Sequence, residues 1–169
     1  MRTLLLLIFL CLGCFGCAST ADNGSDFNLY LVRHAEKQQD GSRDPFLDEA
    51  GISRAEKLSL WFQDKSIRDI WSSDFHRTRD TAKPLLSSLG LELTIYDPRQ
   101  LADLSEKLLN RQNNALVVGH SNTTPELARL LCECEIDPMD ETEHDRLIVV
   151  SILNGEASIT TLHQAWLFK

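Results

Sequence analysis

The feature that most constrains the fold is a regular alternation of short apolar segments with amphipathic ones. Apolar segments typical of strands lie at 27–32, 69–71, 91–96 and 115–118. Helical patterns follow them in turn at 49–62, 77–89, 101–109 and 124–132. Two more strands, 147–153 and 157–162, flank Asn154-Gly155, a dipeptide typical of tight hairpins. This order predicts an α/β three-layer sandwich with a mostly parallel central sheet and a C-terminal hairpin.

Single residues refine these elements. Segment 115–118 is almost wholly apolar, so we expect a central strand that is covered on both faces. Asp48 is expected to cap the first helix, and Gly90 is expected to end the second. Pro84 lies inside the second helical pattern, where proline removes a hydrogen bond. We therefore expect a kink or a break at Pro84.

The charge balance restricts the partners. The chain has 17 basic and 25 acidic residues and a net charge of -8. A protein that binds a nucleic-acid backbone needs a basic face, so nucleic acid is excluded as the expected partner. A phosphorylated substrate must be attracted by a local cluster of arginines, because the overall field repels anions.

Residues 1–17 have the pattern of an export signal. Arg2 precedes the apolar segment 3–12, which is too short to span a bilayer, since a spanning helix takes about 20 residues. Gly-Cys pairs then place cysteines at 14 and 17, which resembles a bacterial lipoprotein signal. We expect an exported, periplasmic or cell-envelope protein that is lipidated at Cys17 or Cys14 and so held to a membrane. An ordinary secretory signal and an uncleaved anchor are the alternatives.

The remainder divides into a tether and one domain. Residues 18–26 are polar and predict a tether, and residues 27–169 predict a single folded domain. Two cysteines of that domain, Cys132 and Cys134, are separated by one residue. A disulfide over so short a spacing would strain its geometry, and two thiols do not make a zinc site. We expect helix-end cysteines without a chemical role.

Two histidines follow strands that are predicted to be parallel. Arg33-His34 ends the first strand, and Gly119-His120 ends the strand at 115–118. In such sheets ligands bind beyond the carboxyl ends of the strands. We therefore expect His34 and His120, distant in sequence, to meet at one edge of the sheet.

Arg33, His34, Arg77 and His120 are the residue types that phosphoryl transfer needs. Arginine offers a planar, always charged donor fork that matches phosphate oxygens. A neutral imidazole is a nucleophile near neutral pH, and a second histidine can neutralise developing charge. The expected intermediate is a phosphohistidine that water cleaves, with no metal and no other cofactor.

Three segments stand at the ends of the predicted elements in motif-like runs: 31–37 (Leu-Val-Arg-His-Ala-Glu-Lys), 72–82 (Ser-Ser-Asp-Phe-His-Arg-Thr-Arg-Asp-Thr-Ala) and 118–123 (Val-Gly-His-Ser-Asn-Thr). Together they resemble the signature of the histidine phosphatase superfamily, in its phosphoglycerate mutase-like branch. Segment 47–51 is similar to the family's turn into its first helix. The resemblance extends from residue 28 to about residue 130. It implies a phosphoglycerate mutase-like fold and a histidine phosphatase domain over 27–169.

The resemblance also implies roles for single residues. By it, His34 is the nucleophile. The rest of the phosphate pocket consists of Arg33, Arg77 and His120. Further candidates for contact with the substrate are Lys37, Ser121 and Asn122.

The general acid has two candidates. Mutases of the family carry an insertion between the second and third motifs that encloses the substrate and supplies a glutamate. Segment 78–119 is too short for it, so the resemblance favours a phosphatase that acts on a larger or exposed phosphate. Asp97 follows the third strand and is slightly favoured as the acid, and Glu126, in the helix after His120, is the alternative. His144, in an acidic run, is expected in a solvated loop.

These features predict a metal-independent phosphomonoester hydrolase for a phosphorylated small molecule or envelope component. Two alternatives stay open. One is a catalytically impaired lipoprotein that binds a phosphate ligand. The other is a phosphohistidine-protein phosphatase, against which the export signal argues, because its partners would be cytosolic.

Overall fold

The computed structural model describes residues 26–165. The predicted signal, residues 18–25 of the tether, and residues 166–169 lie outside this range. Within it no helix has the length and apolar character needed to cross a membrane. The elements, in chain order, are β1 (Phe27–Arg33), α1 (Glu49–Trp61), a 3₁₀ turn (Phe62–Asp64), β2 (Asp69–Ser73), α2 (His76–Leu89), β3 (Leu93–Tyr96), α3 (Leu101–Arg111), β4 (Ala115–Gly119), α4 (Thr123–Cys132), β5 (Arg146–Leu153) and β6 (Glu156–His163).

The six strands form one mixed sheet in the order β3-β2-β4-β1-β5-β6. The first four are parallel neighbours, and β5 and β6 add an antiparallel part. Asn154 and Gly155 both have positive φ, 53° and 81°, as a tight hairpin turn between β5 and β6 requires. The predicted α/β sandwich with a mostly parallel sheet and a terminal hairpin is confirmed.

The core has two halves, one on each face of the sheet. Helices α3 and α4 pack on one face through residues such as Leu104 and Leu127. Helices α1 and α2 pack on the other face through residues such as Leu58 and Leu85. All five residues of β4 are buried, and its side chains alternate between the two halves, so β4 is the central strand that its apolar sequence predicts.

The helix ends follow the sequence, and of the two outcomes expected at Pro84, a kink or a break, the structure excludes the break. Asp48 caps α1 by accepting a hydrogen bond from the N–H of Gly51 at 2.9 Å, and Gly90 ends α2 in the left-handed conformation. Helix α2 is not broken at Pro84, and it runs unbroken over 14 residues. Proline removes only one backbone donor, while α2 keeps Ala82 and Leu85 buried against the sheet.

Cys132 and Cys134 form a disulfide, contrary to the expectation from their spacing. Helix α4 ends at Cys132, and Glu133 takes a left-handed backbone conformation with φ of 52°. The chain therefore reverses, and the two Cα atoms lie 5.2 Å apart, which is an ordinary distance for a bridged pair. The disulfide lies at the start of the segment 133–145, which leads from α4 to β5.

We predict that Gly51→Ala destabilises the protein. Gly51 lies in the first turn of α1, where an added Cβ would overlap the backbone oxygen of Glu36 in the segment after β1. This overlap should lower the free energy of unfolding by about 1–3 kcal/mol, which urea unfolding measures. The direction of this change in stability is informative, because alanine in a helix is otherwise favoured over glycine by about 1 kcal/mol.

Ser53→Ala, on a half-exposed position of the same helix, is the control and should change stability by less than about 0.5 kcal/mol. A Gly51→Ala variant as stable as the wild type would show that α1 does not pack against the Glu36 backbone as described.

Candidate active site

The site lies at the carboxyl edge of the parallel strands. His34 follows β1, and its backbone N–H donates to the carbonyl of Gly119 on the neighbouring β4 at 2.9 Å. His120 follows β4, and its backbone N–H donates to Thr123 Oγ1 at 2.9 Å. The centroids of the His34 and His120 rings lie 5.6 Å apart. The structure thus brings together the two histidines that the strand order places at one edge.

His34 is held as a neutral imidazole with a defined tautomer. Its Nδ1 lies 2.8 Å from the carbonyl oxygen of Ala35. A carbonyl only accepts, so this contact assigns the proton to Nδ1 and leaves a lone pair on Nε2. His34 is only 3% exposed, and this burial, with the nearby Arg33 charge, lowers its pKa to about 3, although the bond to Ala35 opposes the shift. Nε2 is therefore available as a nucleophile over a wide pH range.

His120 is positioned by a short chain of hydroxyl groups. Its Nε2 lies 2.9 Å from Ser73 Oγ, and Ser73 in turn donates to Thr78 Oγ1 at 3.1 Å. Burial, together with the charges of Arg77 and Arg33, lowers the pKa of His120 to about 4. Ser73 and Thr78 lie inside the second motif, but no sequence pattern distinguishes them from the other polar residues of that motif.

The guanidinium group of Arg33 is buried and only partly satisfied. Arg33 is 6% exposed, and its Nη1 donates to the backbone oxygens of Asp140 at 3.0 Å and Glu143 at 3.1 Å. Its Nε is buried and has no hydrogen-bond partner among the described residues. A buried donor that is left unpaired costs about 1–3 kcal/mol, so this arrangement is suited to an incoming acceptor.

The guanidinium group of Arg77 is also largely buried and only partly satisfied. Its side chain is 14% exposed and lies over the ring of Phe75, 4.4 Å from the ring centroid, with Asp44 Oδ1 3.6 Å from its Nη1. Nε and Nη1 are buried, and neither has a hydrogen-bond partner within residues 26–165. Arg33 and Arg77 both line the cleft that contains His34, so their combined positive charge fits a multiply charged oxyanion.

One cleft of about 390 Å³ is lined by Arg33, His34, Arg77 and His120. The cleft also contains the three predicted contact residues, Lys37, Ser121 and Asn122. Sequence reasoning missed five lining residues, which are Phe75, Pro98, Arg99, Thr123 and Glu141.

The two carboxylates proposed as the acid are not among the residues that line this cleft. Asp97 accepts hydrogen bonds from Arg99 Nε at 3.0 Å and Nη2 at 2.8 Å, and these bonds lower its pKa to about 2. Glu126 accepts from Arg129 Nε at 2.9 Å and Nη2 at 2.7 Å, and these bonds lower its pKa as well. Each is thereby kept as an anion, which cannot give a proton to a leaving group.

The expectation that His144 lies in a solvated loop was wrong. His144 is half-buried, its Nδ1 lies 3.0 Å from the backbone oxygen of His34, and the two rings are 5.7 Å apart. Burial lowers the pKa of His144, although the bond to the His34 carbonyl opposes the shift. The acidic sequence did not indicate this contact, because a loop that packs against a distant strand end has no periodic sequence pattern.

Glu36 anchors the backbone beside His34. Its carboxylate accepts from Arg54 Nε at 2.9 Å and from Nη2 at 2.6 Å, so the segment after β1 is fixed to α1. Burial alone would raise the pKa of Glu36, but the bonds from Arg54 lower it below its usual value. The acidic residue of the first motif therefore has a positioning function in this geometry.

Comparison with known proteins agrees with this geometry. The family model described as "Histidine phosphatase superfamily (branch 1)" matches residues 29–106. The "Probable phosphoglycerate mutase GpmB" of Yersinia pestis (strain Pestoides F) is 36% identical over 77 residues, which cover 42% of this chain and 35% of that protein. The same figures hold for GpmB of Yersinia pseudotuberculosis serotype O:1b (strain IP 31758). The chain thus matches only about a third of the length of these relatives.

Solved structures resemble the whole domain. The protein histidine phosphatase SixA complexed with tungstate superposes with a TM-score of 0.69 at 19% identity, over 83% of this chain and 99% of SixA. A putative α-ribazole-5′-P phosphatase from Escherichia coli K-12 gives 0.62 at 18% identity, over 81% and 96%. The mycobacterial glucosyl-3-phosphoglycerate phosphatase Rv2419c gives 0.65 at 14% identity, over 82% and 98%. At these identities the likeness shows the fold alone.

The sheet order and the strand-end histidines define a histidine phosphatase fold. The family model of the histidine phosphatase superfamily matches residues 29–106, which is less than half of the chain, and the neighbours in sequence and in fold are phosphoglycerate mutase-like and SixA-like proteins.

We predict that acidification lowers the free energy of unfolding less in His34→Gln than in the wild type. His34 stays neutral in the folded protein down to a pKa of about 3, whereas in the unfolded chain it binds a proton below about 6.5. Stability is therefore present in full above pH 6.5 and is lost as the pH falls toward 3, because the unfolded state takes up more protons. At pH 5 this loss amounts to about 2 kcal/mol for one such histidine.

Urea unfolding at pH 7.5 and pH 5.0 measures the difference. The drop between the two pH values should be smaller in His34→Gln than in the wild type by about that amount. Equal drops in the two proteins would contradict the burial of a neutral imidazole at this position.

Proposed function

We propose that the protein is a phosphomonoester hydrolase that works without a metal through a phosphohistidine on His34. The observation that carries the proposal is the set of unpartnered, buried guanidinium donors beside a neutral imidazole. Arg33 Nε and Arg77 Nε have no hydrogen-bond partner among the described residues, and both arginines line the same cleft as His34, whose Nε2 keeps its lone pair. A phosphoryl group would satisfy the donors and meet the nucleophile at once.

The first step transfers the phosphoryl group to the protein. The non-bridging oxygens accept hydrogen bonds from Arg33 and Arg77, and His34 Nε2 attacks the phosphorus atom. The bond to the leaving oxygen breaks, and that oxygen takes up a proton. Positive charge that develops on the His34 ring is stabilised by the Nδ1–H bond to the Ala35 carbonyl.

The second step is hydrolysis. Water attacks the phosphorus atom and loses a proton, the P–N bond breaks, and phosphate leaves with His34 neutral again. The shape of the site supports water as the acceptor. The segment from Arg77 to His120 is occupied by α2, β3, α3, β4 and short connections, which leaves no insertion to enclose a substrate. The proposed substrates are phosphorylated small molecules or phosphorylated envelope components.

A second candidate is removal of phosphate from histidine on a protein. It is favoured by the likeness to SixA, of which this chain covers 99%, and by the same open site. The two candidates share the chemistry at His34 and differ in what the leaving group is. A substrate panel that contains both classes therefore separates them.

We predict that His34→Asn abolishes turnover. The substitution removes the nucleophile, so the rate of phosphate release should fall by on the order of 10³-fold or more. The measurement is phosphate release from p-nitrophenyl phosphate, alkyl phosphates and a phosphohistidine peptide, in EDTA. Wild type should also retain an acid-labile, base-stable phosphate label that the variant lacks. His163→Asn, at the exposed end of β6, is the control and should keep both turnover and label.

Other results of this experiment would separate the alternative functions and mechanisms. Phosphate binding without turnover would favour a ligand-binding protein over an enzyme. Loss of turnover in EDTA, with recovery on addition of zinc or magnesium, would overturn the metal-independent mechanism. Hydrolysis of the phosphohistidine peptide much faster than that of the other substrates would favour the second candidate.

We further propose that the protein is exported and held to a membrane by a lipid on Cys17 or Cys14. The sequence pattern of residues 1–17 supports this, although those residues lie outside the described range. Independent support comes from the Cys132–Cys134 disulfide, because disulfides persist mainly in oxidising compartments outside the cytosol. Firm anchoring needs two or more acyl chains, since a single chain gives only marginal binding.

Metabolic labelling tests the anchor. We predict that radiolabelled palmitate is incorporated into the wild-type protein and that a Cys14→Ser, Cys17→Ser double variant incorporates none. A Cys132→Ser, Cys134→Ser variant is the matched control and should be labelled like the wild type. Unlabelled wild type would reject lipidation.

A further inference from the structure

One acidic side chain of the cleft has no part in the steps above. Glu141 lies in the 133–145 segment between α4 and β5 and is one of the residues that line the cleft, together with His34, Arg33 and His120. Of the residues that line this cleft in the described part of the chain, Glu141 alone carries a carboxylate. Its place in the site therefore calls for a chemical explanation.

The backbone around Glu141 is fixed by the phosphate-binding arginine itself. Arg33 Nη1 donates to the carbonyl oxygens of Asp140 and Glu143, which lie on either side of Glu141. Asp140 Oδ1 also accepts from the backbone N–H of Thr142 at 2.7 Å, which tightens the turn. Glu141 is thus carried on a turn whose position is tied to that of Arg33.

Glu141 also lies at the boundary between two compartments. Next to the cleft is a depression of about 440 Å³. It is lined mainly by Pro125, Glu126, Arg129, Ile136, Pro138 and Met139. The residues that border both compartments are Ser121, Asn122 and Glu141.

The two compartments differ in chemistry. The cleft is lined by three arginines, Lys37 and two histidines, whereas the depression offers apolar side chains with one ion pair, Glu126–Arg129. A phosphomonoester with its phosphoryl group between the arginines and its organic group in the depression would place the leaving oxygen at their boundary. That is where Glu141 lies.

We propose that Glu141 is the proton donor to the leaving oxygen and that the depression beside it receives the organic group of the substrate. This inference rests on the proposed hydrolase function. The Glu141 carboxyl proton passes to the leaving oxygen as the P–O bond breaks and the His34 N–P bond forms. In the second step the Glu141 carboxylate takes a proton from the attacking water while the P–N bond breaks. One water is consumed, and an alcohol and phosphate are released.

Leaving-group dependence tests the proposal in the full-length protein. An alkoxide needs a proton in the transition state, whereas p-nitrophenolate hardly does. Glu141→Gln should therefore lower kcat/KM for glycerol 2-phosphate by about 10²- to 10⁴-fold and leave kcat/KM for p-nitrophenyl phosphate within a few-fold of the wild type. With the aryl substrate, slow hydrolysis should also give a burst of nitrophenol and accumulation of phosphohistidine.

Glu135→Gln is the matched control, because it alters an exposed glutamate of the same segment that lines neither compartment. It should leave both substrates unaffected. Full activity of Glu141→Gln on the alkyl substrate, or an equal loss on both substrates, would overturn the assignment. A selective alkyl loss in Asp97→Asn or Glu126→Gln, with Glu141→Gln active, would move the acid to that residue. A wild type that hydrolyses neither substrate would overturn the proposed function itself.

Discussion

The burial of the Arg33 guanidinium at the end of β1 is the interaction on which the site depends. A buried cation must be stabilised by acceptors, and here two backbone carbonyls of the 133–145 segment accept from one of its nitrogens. The same contacts bring that segment, with Glu141 and His144, against the end of the sheet. The buried Nε of Arg33 has no hydrogen-bond partner among residues 26–165 and is free to donate to a ligand. One side chain thus builds a wall of the cleft and supplies part of its charge.

The two histidines owe their state to the same surroundings. Burial and two nearby guanidinium charges disfavour imidazolium, so the pKa values of His34 and His120 fall to about 3 and 4. A nucleophile must keep its lone pair, and the Ala35 carbonyl places that lone pair on Nε2 of His34. In the proposed mechanism, the positive charge that attracts a phosphoryl group and the neutrality of the attacking ring therefore have a common cause.

Much of the fold could be predicted because it follows from local patterns. Apolar alternation identified the strands, and Asp48, Gly90 and Asn154-Gly155 gave caps and turns whose chemistry is local. Parallel order then placed His34 and His120 at one edge without any further information. Such inferences need only residues that are neighbours in sequence, or the regular alternation of strands and helices.

The parts that could not be predicted depend on distant contacts or on a single backbone angle. Arg33 holds carbonyls 107 and 110 residues away, which no periodicity in the acidic run indicates. The Cys132–Cys134 bridge follows from the left-handed conformation of Glu133. The acid assignment used strand ends and overlooked nearby arginines. Glu126 has Arg129 three residues on, a helical spacing that indicates an ion pair, whereas Asp97 pairs with Arg99 two residues on only because of the turn after β3.

The most direct test of the central claim is a crystal structure of the protein with orthovanadate, which adopts the geometry of a phosphoryl group in transfer. We expect vanadium bonded to His34 Nε2, with oxygens that accept hydrogen bonds from the guanidinium groups of Arg33 and Arg77. Vanadate bound away from the two arginines, or a His34 ring whose Nε2 faces away from the vanadium, would contradict it.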